Sequence, residues 1–223
     1  MSDDNFVVDA IVSLPFQENS YVARLAGRDD CLVIDPGLEP HLILDFLRSE
    51  KLRVAMILNT HGHGDHIGGN AAVKEAFPEA PLVIGEIEAP MLANPMLNMS
   101  GLAGFRIVSP PADRVVREGD VVEAAGFRLE VRHIPGHSPG HVIFIWHDHS
   151  PPVVFGGDVL FAGGVGRWDL PGGSARTLIT GIRAKLLSLP GETRVLPGHG
   201  GETTVATERA TNPYVGDHSM LRF

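Results

Sequence analysis

The segment Thr60-His61-Gly62-His63-Gly64-Asp65-His66 places four metal-ligand side chains within six consecutive positions, 61–66. Neutral imidazoles and a carboxylate suit zinc and related divalent ions, whose sites are built from nitrogen and oxygen donors. Gly62 and Gly64 lack a Cβ, so the backbone can turn tightly enough for alternate side chains to converge. One such loop cannot by itself close a two-metal site. Three further candidates stand elsewhere: His137 in Pro135-Gly136-His137-Ser138-Pro139-Gly140, Asp158 in Phe155-Gly156-Gly157-Asp158, and His199 in Pro197-Gly198-His199-Gly200. A solitary loop histidine or aspartate is usually only solvated. Three of them, each flanked by glycine and each following an apolar run, fit ligands that project into a common rim.

Loops of this kind have to be carried by strand ends. The runs 6–12, 21–25 and 31–35 read as strands, the last ended by Pro36-Gly37. Leu42, Ile43, Phe46 and Leu47 then form one apolar helix face. Residues 53–59 read as a buried strand ending where the histidine loop begins, and a helix over 70–77 is stopped by Pro78. Residues 89–112 hold four prolines and three methionines without a period, and are expected to form an irregular excursion of the lid or binding-loop kind. In the second half, 127–133 alternates Phe127, Leu129 and Val131, and 141–146 and 153–155 read as further strands. A glycine-rich loop over 156–173 leads to Ser174, an N-cap for a helix carrying Leu178, Ile182 and Leu186 on one stripe. A last buried strand, 193–196, ends at the His199 loop. Strands followed by helices, twice over, predict two β-sheets packed together with helices outside. With no linker, low-complexity segment or short repeat, one domain over 1–223 is expected.

Composition narrows the function. The 223 residues are 43% hydrophobic, enough for a sizeable core, and carry a formal charge of −9. That acidic balance argues against nucleic acid or an anionic membrane surface as partner. Cys31 is the single cysteine, which excludes an internal disulfide framework and a thiolate-rich zinc finger. No apolar run approaches the ~18 residues of a membrane span. The opening MSDDNFVVDAIV, with aspartates at 3, 4 and 9, has the wrong charge for a signal peptide, so a cytoplasmic protein is expected. The conspicuous excess is histidine, with 11 residues.

HGHGDH, GHSPGH, GGD and PGH, in that order and preceded by Asp35, resemble the metallo-beta-lactamase superfamily. Within it they resemble the glyoxalase II-like (hydroxyacylglutathione hydrolase) branch. The resemblance implies an α+β fold, a four-layer αββα sandwich with a two-metal site along one edge. By that pattern His61, His63 and His137 hold one ion, and Asp65, His66 and His199 hold the other. Asp158 bridges the pair, and Asp65 and Asp158 are the catalytic carboxylates. The ions would be two divalent metals, zinc first, with iron or manganese as alternatives. Two cations lower the pKa of bound water toward ~7 and polarise the carbonyl under attack. A thiolate leaves unprotonated, because free thiols have a pKa of ~8.5. Thioester hydrolysis therefore needs no dedicated general acid, and none stands out. The implied reaction is S-D-lactoylglutathione to D-lactate and glutathione, or a broader range of small thioesters.

Asp35 matches a buried aspartate that orients the ligand loop, or is an ordinary turn residue. Arg167 falls where such enzymes often carry a glutathione-contacting lysine, or is a surface arginine paired with Asp169. Full-length glyoxalase II enzymes carry a basic helical C-terminal extension. Here 24 residues follow His199, of which Arg209 and Arg222 are basic. Two family tyrosines are replaced by Asp169 and Gly201. Weak saturation by glutathione thioesters is the expectation.

Several rivals share these motifs. Gly136-His137-Ser138-Pro139-Gly140 satisfies the G-x-S-x-G pattern of serine hydrolases, but Pro139 lacks the N–H that its oxyanion hole requires. A mononuclear iron persulfide dioxygenase of the same fold is the alternative reading. Its pattern usually places glycine and cysteine where Pro139-Gly140-His141 stands here. Diiron oxygen reductases of this fold carry a glutamate in place of His63, and secreted β-lactamases do not match the bridging Asp158. His147 and His149 read as exposed turn residues, and His41 and His218 receive no role. His133 and His141 bracket the His137 loop, with a supporting or a purely structural role equally open.

Overall fold

A computed structural model describes residues 5–221 and 223, so Asp3, Asp4 and Arg222 lie outside the described residues. The chain divides into two compact units, one running to residue 116 with 123–127, the other comprising 117–122 with 128–223.

The first unit is built on a six-stranded sheet ordered as in the sequence: β1 (Phe6–Ser13), β2 (Glu18–Leu25), β3 (Asp30–Ile34), β4 (Arg53–Asn59), β5 (Leu82–Gly85) and β6 (Arg114–Val116). β1 to β3 meander antiparallel, whereas β3 to β6 run parallel. Parallel neighbours need crossovers. α1 (Pro40–Ser49) joins β3 to β4, and α2 (Gly64–Ile67) with α3 (Asn70–Ala76) joins β4 to β5. Pro40 begins α1 at a position where its missing N–H costs nothing. Ile43, Leu47, Ile67 and Val73 from these helices form one buried cluster with Val33, Ile57, Leu82 and Ile84 of the strands. In register, Ile34 pairs with Leu58 and Asn59 with Ile84. The residues following β3, β4 and β5 therefore emerge at one edge, where ligands collect in parallel sheets.

The second unit contributes β7 (Val121–Ala124), β8 (Phe127–His133), β9 (Val142–Trp146) and β10 (Val153–Gly157), followed by a small hairpin of β11 (Leu160–Phe161) and β12 (Gly164–Val165). α4 (Ala175–Gly181) continues into one wider turn, Ile182–Leu186, before β13 (Arg194–Pro197), β14 (Thr203–Thr204) and α5 (Val205–Thr211). Its sheet is ordered β14-β13-β10-β9-β8-β7. β8 and β10 are both antiparallel to β9, and β13 is parallel to β10. β8, β10 and β13 thus point the same way, and the loops bearing His137, Asp158 and His199 leave the same edge. Every residue of β9 and β10 is buried, which explains their unbroken apolar runs. The Ser174 hydroxyl accepts the Thr177 N–H, and Leu178, Ile182 and Leu186 pack with Ile143, Ile145, Val154 and Val195.

The structure departs from the sequence pattern in four places. Leu42, expected on the buried face of α1, is exposed, and Ile43 and Leu47 alone are fully covered. The glycine-rich stretch from 156 is not all loop: β10 extends through Gly157, and β11 and β12 pair within it. Residues 89–112 begin with a short 3₁₀ turn, Ala89–Met91, and are pinned by Asn98. Its Nδ2 donates to the carbonyls of Met91 (3.1 Å) and Ile107 (3.0 Å), and its Oδ1 accepts from the Ser100 hydroxyl at 2.6 Å. Strands β5, β6, β7 and β14 and helix α5 carry too few residues for a periodic signal.

Candidate metal centre

In the first unit one carboxylate organises the histidine loop. Asp35 follows β3 with φ +47°, a left-handed conformation that aspartate tolerates better than most residues. Its Oδ1 accepts the Thr60 N–H (2.7 Å), and its Oδ2 accepts the Thr60 hydroxyl (2.6 Å) and His66 Nδ1 (3.1 Å). Because Thr60 spends its only hydroxyl proton on Asp35, its oxygen accepts from His61 Nδ1 at 3.1 Å. Asp35 therefore sets the tautomer of His66 directly and that of His61 through Thr60, leaving both Nε2 atoms as lone-pair donors to a metal. Ligand atoms of Asp35, His61 and His66 all lie within 4.8 Å of one another. His61 Nε2 stands 3.0 Å from His63 Nδ1, and His66 Nε2 stands 3.8 Å from Asp65 Oδ2.

Two residues that the sequence did not reveal hold the loop backbone. Buried Glu88, just past β5, accepts the Gly62 N–H at 2.8 Å, and the Asn98 carbonyl accepts the Gly64 N–H at 2.8 Å. Nothing in the sequence sets Glu88 apart, because its partner lies 26 residues away. Glu18, fully buried on β2, is a further acid at this edge. Burial pushes its carboxyl well above the ordinary range; the His66 ring opposes that shift, and the Asp35 and Asp65 charges add to it.

In the second unit the backbone does this organising. His137 Nδ1 donates to the Arg167 carbonyl at 2.9 Å, which leaves its Nε2 unprotonated in the neutral ring. That Nε2 lies 3.5 Å from Asp158 Oδ2, and His199 Nε2 lies 3.4 Å from the same oxygen. The Asp158 N–H donates to Nε2 of fully buried His141 at 3.0 Å. His141 thereby positions Asp158, deciding a role that its sequence context left open. A Cβ at Gly166 would fall 1.9 Å from the Asp158 carbonyl oxygen and 3.1 Å from His137 Nδ1, so only glycine lets this strap pass.

The donor chemistry fits divalent ions. In both units a lone-pair nitrogen with its other ring nitrogen occupied faces a carboxylate oxygen: His66 faces Asp65, and His137 faces Asp158. Two acceptors so placed repel each other unless a cation compensates them. The same Asp158 oxygen is approached by two imidazoles, those of His137 and His199.

The sequence profile of the metallo-beta-lactamase superfamily matches residues 14–199. The chain belongs to this superfamily. The Bacillus subtilis "Probable metallo-hydrolase YqgX" is 42% identical over 207 residues, covering 92% of this chain and 96% of that protein. The Haemophilus influenzae "Hydroxyacylglutathione hydrolase GloC" is 36% identical over 217 residues, covering 95% and 99%. Among solved structures, the BLEG-1 B3 metallo-beta-lactamase superposes with TM-score 0.89 at 36% identity, covering 94% of this chain and 99% of its own. TTHA1623 in a di-iron-bound form gives 0.81 at 38%, covering 92% and 99%. ETHE1 from Myxococcus xanthus gives 0.76 at 26%, covering 96% and 86%. The α+β metallo-beta-lactamase fold expected from the motifs is thus the fold of this chain, and the protein is a metal-dependent hydrolase of that superfamily.

The remaining residues singled out in the sequence fall outside these clusters. Exposed His147 pairs with Glu130 at 2.6 Å, and His149 stacks on Trp146 in the same turn. Ser138 Oγ is buried without a hydrogen-bond partner among the described residues, and Gly136-His137-Ser138-Pro139-Gly140 leads into strand β9, not the helix that a nucleophile elbow requires. Arg167 and Asp169 form a two-pronged ion pair, Nε–Oδ1 2.7 Å and Nη2–Oδ2 2.8 Å. Among the described residues no helix is long and apolar enough to cross a membrane.

Proposed function

We propose that the protein is a cytoplasmic, glyoxalase II-like hydrolase of small thioesters, working as one catalytic domain over 1–223 with two divalent ions, most simply zinc. His61, His63 and His137 would hold one ion, Asp65, His66 and His199 the other, and Asp158 both. The likeness to hydroxyacylglutathione hydrolase GloC over 95% of the chain carries the substrate class. Bound ions supply an acidified water and an electrophile for the thioester carbonyl. The chain's own residues do the rest. Asp35 and Thr60 keep His61 and His66 in the tautomers that present Nε2. The Arg167 carbonyl does the same for His137, and His141 fixes the backbone of Asp158. Arg167 serves the substrate side as a wall whose charge Asp169 already satisfies, in keeping with weak saturation by glutathione thioesters.

The test is a substrate series on metal-loaded protein: S-D-lactoylglutathione, a non-glutathione thioester, a lactone and a β-lactam. Hydrolysis of both thioesters at comparable rates, with poor saturation by lactoylglutathione, is expected. A β-lactam or lactone turned over far faster than both would remove the thioester assignment and leave the superfamily membership intact.

A further inference from the structure

An open cavity of 360 Å³ lies in the second unit, lined by Val165, Gly166, Arg167, Trp168, Asp169 and Tyr214. It adjoins the His137–Asp158 cluster through two of its lining residues: the Arg167 carbonyl accepts the Nδ1–H of His137, and Gly166 passes beside the Asp158 carbonyl. Its walls are aromatic: Trp168 and Tyr214 meet edge to face with ring centroids 5.9 Å apart. They are also held in place. Asn212, the residue that caps the C-terminus of α5, accepts the Tyr214 N–H at 2.9 Å through Oδ1 and donates from Nδ2 to the Gly164 carbonyl at 2.9 Å. Buried Glu208, one helical turn earlier, accepts the Gly163 N–H at 3.0 Å, so α5 anchors both sides of the cavity.

The lining has one cation and one anion, and they are spent on each other. The Nε–H and one Nη2–H of a single guanidinium edge donate to Asp169, and the pair holds the Asp169 carboxyl down to about 2. Over the neutral range the lining side chains therefore carry no net charge: a compensated ion pair stands beside two ring faces and the Val165 side chain. An anionic group entering it would meet the Asp169 carboxylate beside the Arg167 guanidinium and gain little from a cation already partly compensated, whereas a neutral ring or branched chain would bury apolar surface against Trp168 and Tyr214.

We propose that this cavity is the specificity pocket of the enzyme and that it takes an uncharged aromatic or branched apolar substituent of the substrate. The inference rests on the thioester reading for the reaction, but not for the pocket itself.

The test separates the two. Binding of a neutral thioether, S-benzyl-N-acetylcysteamine, and of its para-carboxybenzyl analogue is measured by calorimetry on metal-loaded protein. In parallel, benzoyl and acetyl thioesters of N-acetylcysteamine are compared by kcat/KM. The neutral ring should bind at least about fivefold tighter than the carboxylate-bearing one, and the benzoyl to acetyl ratio should be about tenfold or more. Trp168→Ala should bring that ratio close to one, and Tyr214→Ala, on a more exposed ring, should lower it even if Trp168→Ala fails to fold. Asp169→Asn should shift the carboxybenzyl to benzyl affinity ratio about two- to fivefold toward the anion, the scale of an exposed ion pair. Preferential binding of the carboxylate, or a ring preference that survives both aromatic substitutions, would overturn the proposal. Loss of all thioester turnover with selective binding of the neutral ring intact would refute the reaction and uphold the pocket. Thioester turnover with no ring preference and no binding of the benzyl thioether would do the reverse.

Discussion

The two ligand-bearing regions of this chain reach similar chemistry by opposite means. In the first unit the ligands are contiguous, and a side chain disciplines them: Asp35 gathers Thr60 and His66, and through Thr60 it sets His61. In the second unit His137, Asp158 and His199 are scattered over three loops, and the contacts that place His137 and Asp158 run largely through backbone groups. A carbonyl from Arg167 turns His137, an imidazole receives the Asp158 N–H, and a glycine strap crosses both. A short loop of adjacent ligands can fold in many ways, so it needs a polar hub to select one. Ligands at the ends of buried parallel strands are already aimed by β8, β10 and β13, so they need only close packing. Apart from the metal-facing side chains themselves, the first region should therefore break when a supporting side chain is removed, and the second when one is added.

The largest effect is expected at the residue both imidazoles approach. Asp158→Ala should lose at least one metal equivalent and nearly all turnover, read by elemental analysis and steady-state kinetics on the same preparation. Retained metal content would end its bridging role. Gly166→Ala should come next. Its Cβ has no space beside the Asp158 carbonyl, so a stability loss of roughly 1–3 kcal/mol and a fall in metal content are expected, seen as a lowered Tm and a weaker chelator competition curve. An unaffected Gly166→Ala protein would contradict the packing half of the comparison.

Asp35→Asn keeps the shape of the hub but replaces one accepting oxygen with an amide NH2, so it loses either the bond from the Thr60 N–H or those from the Thr60 hydroxyl and His66. Metal affinity in the first region should drop about 10- to 100-fold with the fold retained, by circular dichroism and chelator competition. The matching deletion in the second region should be harmless. Ser138→Ala removes a buried hydroxyl that has no partner, so activity should stay near wild type and stability should be unchanged or raised by about 1 kcal/mol. An inactive Ser138→Ala enzyme with full metal content would revive the serine nucleophile. The smallest effect concerns Cys31, buried in the first unit, where burial pushes the thiol to about 12. Iodoacetamide should leave it unmodified at pH 8 until denaturant opens that unit, since only the thiolate reacts.

What the sequence discloses follows the same division. Long apolar runs such as 53–59 and 142–146 announce their strands, because a strand buried on both faces must be apolar throughout. β5 and β6, with four and three residues, carry too little pattern and owe their pairing to the parallel neighbours that template them. The HGHGDH loop is conspicuous because its ligand types are adjacent, and Ser174 because a cap is a local hydrogen bond. Glu88, Thr60 and the Arg167 carbonyl act across 26, 25 and 30 positions in sequence, and a peptide carbonyl has no residue type to read. The Arg167–Asp169 ion pair, two residues apart, is a contact that the sequence could suggest and the distances show.

Metal analysis of protein purified without added metal, followed at once by assay, bears most directly on the proposed reaction. About two zinc ions per chain together with lactoylglutathione hydrolysis is the predicted result. One iron per chain with oxygen consumption on a persulfide would contradict it and establish the dioxygenase instead.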